Sequence, residues 1–340
     1  MMEIKENFWH KSIKPLFMLA PMEDVTDTAF RELVMRMSSA SKLHVLFTEF
    51  TSTDGLSHPI GRDKVNYRLH ISNSERQLLK SMGIKIIAQV WGNKPEKFSK
   101  AVAYISEEYD FDGIDINMGC PVKNVVAHGS GAALINSEGL AGEIIAATRE
   151  ASKLPLSIKT RLGVGRVDTE RWISFLLHQR PDALIIHGRI QKQMSEGSAD
   201  WAEIAKAVSL RDELAPDIII IGNGDIESLK DAMNKTLFYK TDGAMIGRGI
   251  FKNPWLFNTD KSKIGIKERL DTMRLHLRLF HDAWDESRNF HLLRRFFKIY
   301  LSDFPGALNL RNEAMKAESF DEAIKIIDSF EAVQLLVNQE

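Results

Sequence analysis

Apolar runs of strand length alternate with amphipathic stretches of helix length over the first three quarters of the 340-residue chain. Eight such runs occur, and each is followed by a polar or glycine-bearing turn. They end near Ala20, Glu49, Val90, Asn117, Thr160, His187, Gly222 and Ile246. Helical spacing marks the segments between them, as in residues 143–151 and 201–214. The repeat of about 30 residues is the length that one strand and one crossover helix require.

The composition of the strands predicts that they form a parallel sheet. Residues 182–187 and 217–222 are almost continuously apolar, which is typical of strands buried on both faces. Eight βα units within about 255 residues favour a closed barrel over an open sheet. The sequence therefore predicts an α/β fold with a (β/α)8 TIM barrel over residues 1–258.

After residue 258 the pattern changes to helices alone. Amphipathic spacing predicts helices over 266–284, 290–301 and 320–337, with a turn at 303–307. We therefore predict a second, all-helical domain over residues 259–340. Residues 261–316 carry twelve Lys and Arg against seven Asp and Glu, whereas residues 317–340 carry one against six. The positive segment is a candidate polyanion surface, although charge alone favours a solvated helix face.

Composition restricts the partners and the compartment. The chain has 45 Lys and Arg against 46 Asp and Glu, so its total charge gives no argument for nucleic acid or an anionic membrane. One cysteine excludes a disulfide framework and a cysteine-based zinc cluster, and we expect no metal. Residues 1–14 lack the continuous apolar segment of a secretory signal, and runs such as 218–221 are too short to cross a bilayer. We expect a cytoplasmic protein without a membrane span.

Polar side chains and glycines follow the predicted strands, where a barrel of this kind places its reactive groups. Gly222-Asn-Gly-Asp225 follows the seventh strand and Gly247-Arg-Gly249 follows the eighth. Either motif alone is more often a turn that starts a helix. Together, at this position of the barrel, they favour a phosphate site, with backbone N–H groups and Arg248 as donors.

Four further polar residues at strand ends are placed to surround a planar ligand: Gln89, Asn117, Lys159 and His187. Lys159 could be a surface lysine with a buried stem. Beside a redox cofactor, its charge would instead stabilise an anionic reduced form. His187 is equally compatible with a ligand donor and with a histidine that is hydrogen-bonded beneath a loop.

Cys120 lies in the loop Asn117-Met-Gly-Cys-Pro121 after the fourth strand. A lone cysteine is most often a small buried apolar residue, but this one is on a glycine-rich loop at the catalytic face. As a thiolate it would be a nucleophile, and as a thiol it would donate a proton to carbon. No neighbour in the loop lowers its pKa, which favours the proton donor.

These residues occur within a series of motifs that resembles the tRNA-dihydrouridine synthases, flavoenzymes that reduce uridine in tRNA. The resemblance runs from about Leu16 to Leu256 and recurs in the carboxy-terminal helices. Its main pieces are Ala20-Pro-Met-Glu-Asp-Val-Thr-Asp-Thr-Ala-Phe-Arg31, Thr48-Glu-Phe50, Gln89, Ile116-Asn-Met-Gly-Cys-Pro121, Gly129-Ser-Gly-Ala-Ala-Leu134, Lys159-Thr-Arg-Leu-Gly163, His187-Gly-Arg189, Ala199-Asp-Trp201, Gly222-Asn-Gly-Asp225 and Met245-Ile-Gly-Arg-Gly249. Each piece is weak alone, and their order and spacing make the signal specific.

The resemblance implies an FMN-binding barrel, a helical tRNA-binding domain, and NADPH as the electron donor. The flavin N5 would give hydride to C6 of uracil and Cys120 would protonate C5. The implied cofactor residues are Pro21, Met22, Glu23, Gln89, Lys159, His187, Asn223, Gly224, Asp225, Gly247 and Arg248. The implied substrate residues are Asn117, Arg161, Arg294, Arg295, Lys298 and Arg311. We expect a monomer.

The chain departs from the family pattern after His187-Gly-Arg189, where Ile190, Gln191 and Ser195 stand in place of the usual Thr, Arg and Tyr while Gln193 matches, so the resemblance assigns no substrate contacts in this loop. Basic residues in 58–82 contact RNA or form a solvated helix. Two alternative functions stay open. One is an FMN barrel dehydrogenase of a free pyrimidine, which has no use for a basic helical domain. The other is an RNA-binding relative without turnover, against which the joint presence of Cys120, Lys159 and Arg248 argues.

Overall fold

A computed structural model describes residues 7–258 and 264–337 of the chain. Nine parallel strands form one sheet, in the order β2-β1-β9-β8-β7-β6-β5-β4-β3. They are β1 Leu16–Leu19, β2 Val45–Phe47, β3 Thr51–Ser52, β4 Lys85–Trp91, β5 Gly113–Met118, β6 Leu156–Arg161, β7 Ala183–His187, β8 Ile219–Asn223 and β9 Gly243–Ile246. Pairing of β2 with β4 closes the sheet, and the two-residue β3 extends the edge at β4. The predicted TIM barrel is confirmed.

Helices connect the strands and continue beyond the barrel. The α-helices are α1 Phe8–Lys11, α2 Thr28–Met37, α3 Thr53–Leu56, α4 Pro59–Val65, α5 Asn73–Met82, α6 Pro95–Glu108, α7 Lys123–Ala127, α8 Glu138–Ala151, α9 Thr169–His178, α10 Trp201–Leu214, α11 Leu229–Tyr239, α12 Gly249–Lys252, α13 Ile266–Trp284, α14 Phe297–Tyr300, α15 Ala307–Ala314 and α16 Phe320–Val337. Short 3₁₀ helices span Asn66–Leu69, Gly131–Asn136, Gln191–Gln193, Asp285–Ser287 and Phe290–Phe296. No described helix combines the length and apolar character that a bilayer span needs.

The barrel interior is apolar at its amino-terminal end and polar at its carboxyl-terminal end. Phe8 and Trp9 of α1 pack with Leu16, Met18 and other inward-facing strand residues, so α1 plugs the amino-terminal end. Because side chains alternate along a strand, the next inward positions lie one layer higher. In β5 and β6 these positions are occupied by Asn117 and Lys159, which are register partners. The layer above the apolar plug is therefore available for chemistry.

Helix α13 is the first helix of the carboxy-terminal helical part of the chain, and it packs against α2 of the barrel. Phe30 of α2 stacks on Phe296 with ring centroids 5.0 Å apart and lies near Phe251 at 6.4 Å. His276 is buried beside Phe30, and burial lowers its pKa to about 3, so it is neutral there. The two parts of the chain thus share an apolar contact.

The strands end within two residues of their predicted positions, and the helices predicted over 266–284 and 320–337 are present. The helix predicted over 290–301 is wrong in type, because a 3₁₀ turn at Phe290–Phe296 precedes the short α14. Helix α15 follows the predicted turn and was not expected. The predicted domain boundary, between residues 258 and 259, adjoins residues 259–263, which lie outside the described residues.

The charge asymmetry of the carboxy-terminal part is partly neutralised by its own folding. Arg274 of α13 lies 2.8 Å from Asp328 and 2.6 Å from Glu331 of α16. Arg294 lies 2.8 Å from Glu318, just before α16. The acidic segment therefore covers part of the positive one, and the count of charges along the sequence overstates the exposed positive patch.

Candidate active site

A cleft of about 910 Å³ opens at the carboxyl ends of the barrel strands. Its lining contains every predicted cofactor residue of the barrel, together with Asn117, Cys120 and Arg161. The predicted residues Arg294, Arg295, Lys298 and Arg311 do not line it. A smaller cavity, of about 280 Å³, lies near the amino ends of β5 and β6, away from these groups. The volume of the large cleft is in the range of cofactor sites, about 300–1,000 Å³.

A chain of directional hydrogen bonds runs beneath the cleft. The backbone N–H groups of Gly119 and Cys120 donate to Oδ1 of Asn117 at 3.1 and 2.8 Å. Asn117 Nδ2 donates to Gln89 Oε1 at 3.0 Å, and Gln89 Nε2 donates to Asp115 Oδ2 at 2.7 Å. Ser157 Oγ donates to the other oxygen of Asp115 at 2.6 Å. All of these side chains are buried.

This series of hydrogen bonds determines the orientation of the Asn117 and Gln89 amides. Asn117 must point its oxygen at the two backbone donors, which leaves its NH₂ for Gln89. Gln89 must then direct its NH₂ toward Asp115, because a carboxylate accepts and does not donate. Burial raises the pKa of Asp115 to about 6, and the hydrogen bonds from Ser157 and Gln89 oppose that shift. Asp115 therefore anchors a network that extends to the Cys120 loop.

Cys120 is nearly inaccessible, with 9% of its surface exposed at the wall of the cleft. Burial raises the pKa of its thiol above the ordinary value, and the charge of Glu23 acts in the same direction. The backbone N–H of Val122 lowers this pKa, so the expectation that no neighbour in the loop does so is wrong, and the charges of Arg161 and Lys159 act in the same direction as Val122. The group is therefore a thiol at neutral pH, which suits a proton donor better than a nucleophile.

Lys159 carries a positive charge into the cleft. Among the described residues, its ammonium group has neither a hydrogen-bond acceptor nor a carboxylate within ion-pair distance. Burial, and next the charge of Arg161, lowers its pKa to about 8, while Asp115 raises it. A cation that is poorly solvated and unpaired favours an anionic or strongly polar ligand at this point of the cleft.

The end of the cleft near β8 and β9 is built around glycine. Gly224 has a φ of 125°. An added Cβ there would lie 2.6 Å from Cβ of Ala199 and 3.1 Å from the His187 ring. Asn223 donates from Nδ2 to the carbonyl of Met245 at 2.8 Å, which joins the two strands. This end therefore exposes backbone at a place where no side chain fits.

Two arginines surround Asp225 at the same end. Arg189 is fully buried and donates from Nη2 to both Asp225 oxygens at 2.7 Å, while Arg248, 60% exposed, lies 3.3 Å away. The guanidinium of Arg189 also donates to Nε2 of His187 at 3.1 Å. Burial lowers the pKa of His187 well below its ordinary value, so the ring is neutral. Asp225 holds the two cations, and Arg248 keeps donors for an anion.

Arg161 ties the Cys120 loop to the loop after β7. Its Nε donates to the carbonyl of Gly119 at 2.7 Å, and its Nη1 donates to the carbonyl of Met194 at 2.8 Å. Gln191, one of the residues that departs from the family pattern, donates to the carbonyl of Pro121 at 3.1 Å. The departing loop is thus bonded directly to the loop that carries the thiol.

The four carboxy-terminal cations are dispersed. Arg294 pairs with Glu318, and Arg295 donates to the backbone carbonyl of Asp24 at 3.1 Å. Arg311 lies 3.4 Å from the carbonyl of Leu301. Lys298 is exposed and has no ion-pair partner among the described residues. Of this set, Lys298 is therefore the most available for a phosphate.

No role was predicted from the sequence for Asp115, Arg189 or Arg288. In the structure, each of them binds two or more other side chains in or beside the cleft. Asp115 and Asn117 are two positions apart in an otherwise apolar strand, and this spacing places both on the inward face. Arg189 lies in a motif noted above. Arg288 contacts residues more than 200 positions away, and no local pattern marks it.

A parallel barrel with a polar, glycine-lined cleft at the carboxyl ends of its strands defines a TIM barrel of the enzyme type. The family model described as dihydrouridine synthase (Dus) matches residues 18–338. The chain is 44% identical over 329 residues to probable tRNA-dihydrouridine synthase 2 of Bacillus subtilis (strain 168), covering 96% of this chain and 97% of that protein. It is also 44% identical over 331 residues to probable tRNA-dihydrouridine synthase of Staphylococcus aureus (strain MRSA252), with 97% of each covered. The chain belongs to the dihydrouridine synthase family.

Solved structures agree with the fold. Histamine dehydrogenase from Rhizobium sp. 4-9 superposes with a TM-score of 0.52 at 14% identity, over 77% of this chain and 48% of that one. The identity is too low to carry more than the barrel architecture.

Proposed function

We propose that the protein is an FMN-dependent tRNA-dihydrouridine synthase. The observation that carries the proposal is the composition of one cleft: a buried thiol, a lysine without a partner among the described residues, an oriented pair of amides, and a glycine-lined end with an exposed arginine. The family membership of the chain and the names of its relatives support the same reaction. The relatives' names also favour tRNA over a free pyrimidine.

The residues of the cleft fit FMN. Gly224 and Gly247 leave backbone accessible beside Arg248, which suits a phosphate and its ribityl chain, with Asn223 and Asp225 bounding the same space. Lys159 lacks a partner within residues 7–258 and 264–337, and Gln89 has one N–H and one lone pair beyond its bonds to Asp115 and Asn117, so both suit the polar edge of an isoalloxazine ring. Pro21, Met22 and Glu23 line the wall of the cleft, and neutral His187 lies near the phosphate end.

Bound FMN, reduced by NADPH, would supply a hydride to C6 of the uracil. Cys120 holds the proton that C5 requires, because burial keeps its thiol protonated at neutral pH. Hydride at C6 and proton at C5 together reduce the C5=C6 bond. The thiolate that Cys120 then becomes is stabilised by the charges of Lys159 and Arg161.

The substrate base must leave its stack to reach this buried thiol. Asn117 and Arg161 line the cleft beside Cys120, and we assign them to the uracil side. The helical domain, residues 259–340, would hold the RNA backbone, with Lys298 exposed for a phosphate and Arg294, Arg295 and Arg311 as further cations. We place this reaction in the cytoplasm, with no membrane partner. One copy of the chain carries all the residues that the proposal uses.

The test uses the full chain reconstituted with FMN. NADPH oxidation is followed under anaerobic conditions. The acceptor is unmodified tRNA, free uracil or orotate. The proposal expects a flavin absorbance spectrum and turnover only with tRNA. Turnover with a free pyrimidine alone would identify the alternative dehydrogenase, and a colourless protein that does not bind added FMN would refute the proposal.

A further inference from the structure

The loop between β1 and α2, residues 20–27, forms one wall of the cleft and is held from outside the barrel. Pro21, Met22 and Glu23 of this β1 loop line the cleft. The next residue, Asp24, has a positive φ of 54°, which is unfavourable for a residue other than glycine. Its backbone N–H donates to Glu49 Oε1 at 2.6 Å. The conformation of the loop therefore depends on contacts with its surroundings.

Three residues of the helical part supply the contacts on the other side. Trp284 donates from Nε1 to Asp27 Oδ2 at 2.9 Å, and Arg288 lies 3.2 Å from the same oxygen. Arg295 donates to the carbonyl of Asp24 at 3.1 Å. Asp27 also caps α2 by accepting from the backbone N–H of Phe30 at 2.9 Å. Both ends of the residue 24–27 segment are thus bonded to the helical part.

Arg288 is the centre of these contacts. Its guanidinium faces Asp24 at 3.7 Å, Asp27 at 3.2 Å and Glu49 at 3.7 Å, and only 10% of its side chain is exposed. It also lies 5.0 Å from the ring centroids of both Tyr67 and Trp284. Arg288 is therefore the cation that the three acidic groups share, whereas Arg295 faces only Asp24 among them, at 3.9 Å, and Arg68 faces only Glu49, at 3.9 Å.

We propose that Arg288, with Trp284 and Arg295, is a positioning residue for the flavin site, so that the helical part of the chain shapes the cleft as well as contacting RNA. The inference rests on the proposed function. Loss of Arg288 leaves the carboxylates of Asp24, Asp27 and Glu49 without their shared cation. The β1 loop then loses its support, and the wall formed by Pro21 and Met22 shifts away from the ligand.

Arg274 provides a matched control. It lies on α13, its side chain is 11% exposed, and it also faces three carboxylates, those of Asp271, Asp328 and Glu331. All three belong to the helical part. Arg274→Gln therefore removes a comparable ion cluster without touching the β1 loop.

The experiment measures the dissociation constant of FMN by quenching of flavin fluorescence, with thermal unfolding measured on the same samples. We expect Arg288→Gln and Arg274→Gln to lower the melting temperature. Arg288→Gln should also weaken FMN binding about tenfold, which corresponds to ~1.4 kcal/mol. Arg274→Gln should change FMN affinity less than twofold. Arg288→Lys keeps the charge but lacks the planar guanidinium, so its FMN affinity should lie between those of wild type and Arg288→Gln.

Equal FMN affinities for wild type, Arg288→Gln and Arg274→Gln would overturn the inference, as would equal weakening in both variants. If Arg288→Gln does not fold, Arg288→Lys and Arg295→Gln decide. Arg295 is 40% exposed on its side chain, so its replacement should leave the fold intact and weaken FMN binding two- to fivefold. Unchanged affinity in both of these variants would overturn the inference. A wild-type protein that binds no FMN would instead refute the proposed function.

Discussion

Exchanging the acid and the amide at positions 115 and 117 tests the hydrogen-bond chain beneath the cleft. In Asn117→Asp, one carboxylate oxygen still accepts from the N–H groups of Gly119 and Cys120. The other oxygen faces Gln89 Oε1, which is also an acceptor. If the Gln89 amide rotates, its oxygen faces Asp115 Oδ2 instead. Two buried acceptors are opposed in either arrangement.

The cost follows from burial. Asn117 is 6% exposed and Gln89 and Asp115 are fully buried, so water cannot replace the lost bond. A buried polar group without a partner costs about 1–3 kcal/mol, so Asn117→Asp should destabilise the protein by about 2–5 kcal/mol at pH 8. The loss should shrink at lower pH, because the introduced carboxyl group can donate to Gln89 once it is protonated.

Asp115→Asn should cost less than about 1 kcal/mol, because its oxygen can accept from Gln89 while its NH₂ donates to the Ser157 hydroxyl. In the double variant, Gln89 rotates and both of its hydrogen bonds are restored with their direction reversed. The bonds donated by the Gly119 and Cys120 N–H groups and by the Ser157 hydroxyl keep their direction. Urea unfolding followed by circular dichroism should therefore give a coupling energy of at least about 2 kcal/mol. FMN affinity should stay low in the double variant, because the Gln89 amide is reversed toward the cleft. Additive single-variant effects, or a cost below about 1 kcal/mol for Asn117→Asp, would refute the reasoning.

Three further predictions concern the site and its support. Cys120→Ala should leave FMN reduction by NADPH intact and reduce dihydrouridine formation about 10²–10⁴-fold in single-turnover assays, since only the acid is lost; a change below tenfold would contradict its role. Gly224→Ala should abolish FMN binding in fluorescence titrations, because its Cβ would lie 2.6 Å from that of Ala199; normal affinity would contradict the glycine-lined phosphate end. Burial raises the pKa of Glu49 to about 7, with Arg288, Asp27, Arg68 and the Asp24 N–H as the facing groups. Between about pH 4.5 and 7 the folded protein therefore keeps this proton where the unfolded chain has lost it. The free energy of unfolding that Glu49 contributes is present at pH 4.5 and is lost as the pH rises to about 7, which gives stability a negative slope against pH. Glu49→Gln should flatten that slope by about 1–3 kcal/mol in urea unfolding, and an unchanged slope would contradict it.

The barrel was predictable because its determinants are local. Each strand is a short apolar run, and an inward-facing position near its carboxyl end carries a polar residue of the site, as with Gln89 in β4 and Lys159 in β6. A glycine such as Gly224 marks a backbone constraint wherever the chain folds. The order of these motifs along the chain was therefore enough to predict that the cleft lies at the carboxyl ends of the strands.

Contacts between distant segments were not predictable. Asp115 is one acidic residue in an apolar strand, and its role depends on Gln89 and Ser157 in neighbouring strands. Arg288 lies 261 positions from Asp27, and the chain brings them together only after the helical part has docked. The sequence overstates the charge of the basic segment, because its pairing with the acidic segment requires α13 and α16 to be adjacent.

Analysis of nucleosides by mass spectrometry tests the central claim most directly. An unmodified tRNA transcript is incubated with the full chain, FMN and NADPH, then digested and examined for a uridine that has gained two hydrogens. The account predicts this product with wild type and a yield about 10²–10⁴-fold lower, over the same short reaction time, with Cys120→Ala. Absence of dihydrouridine from every tRNA tested, with FMN bound and reduced, would contradict it.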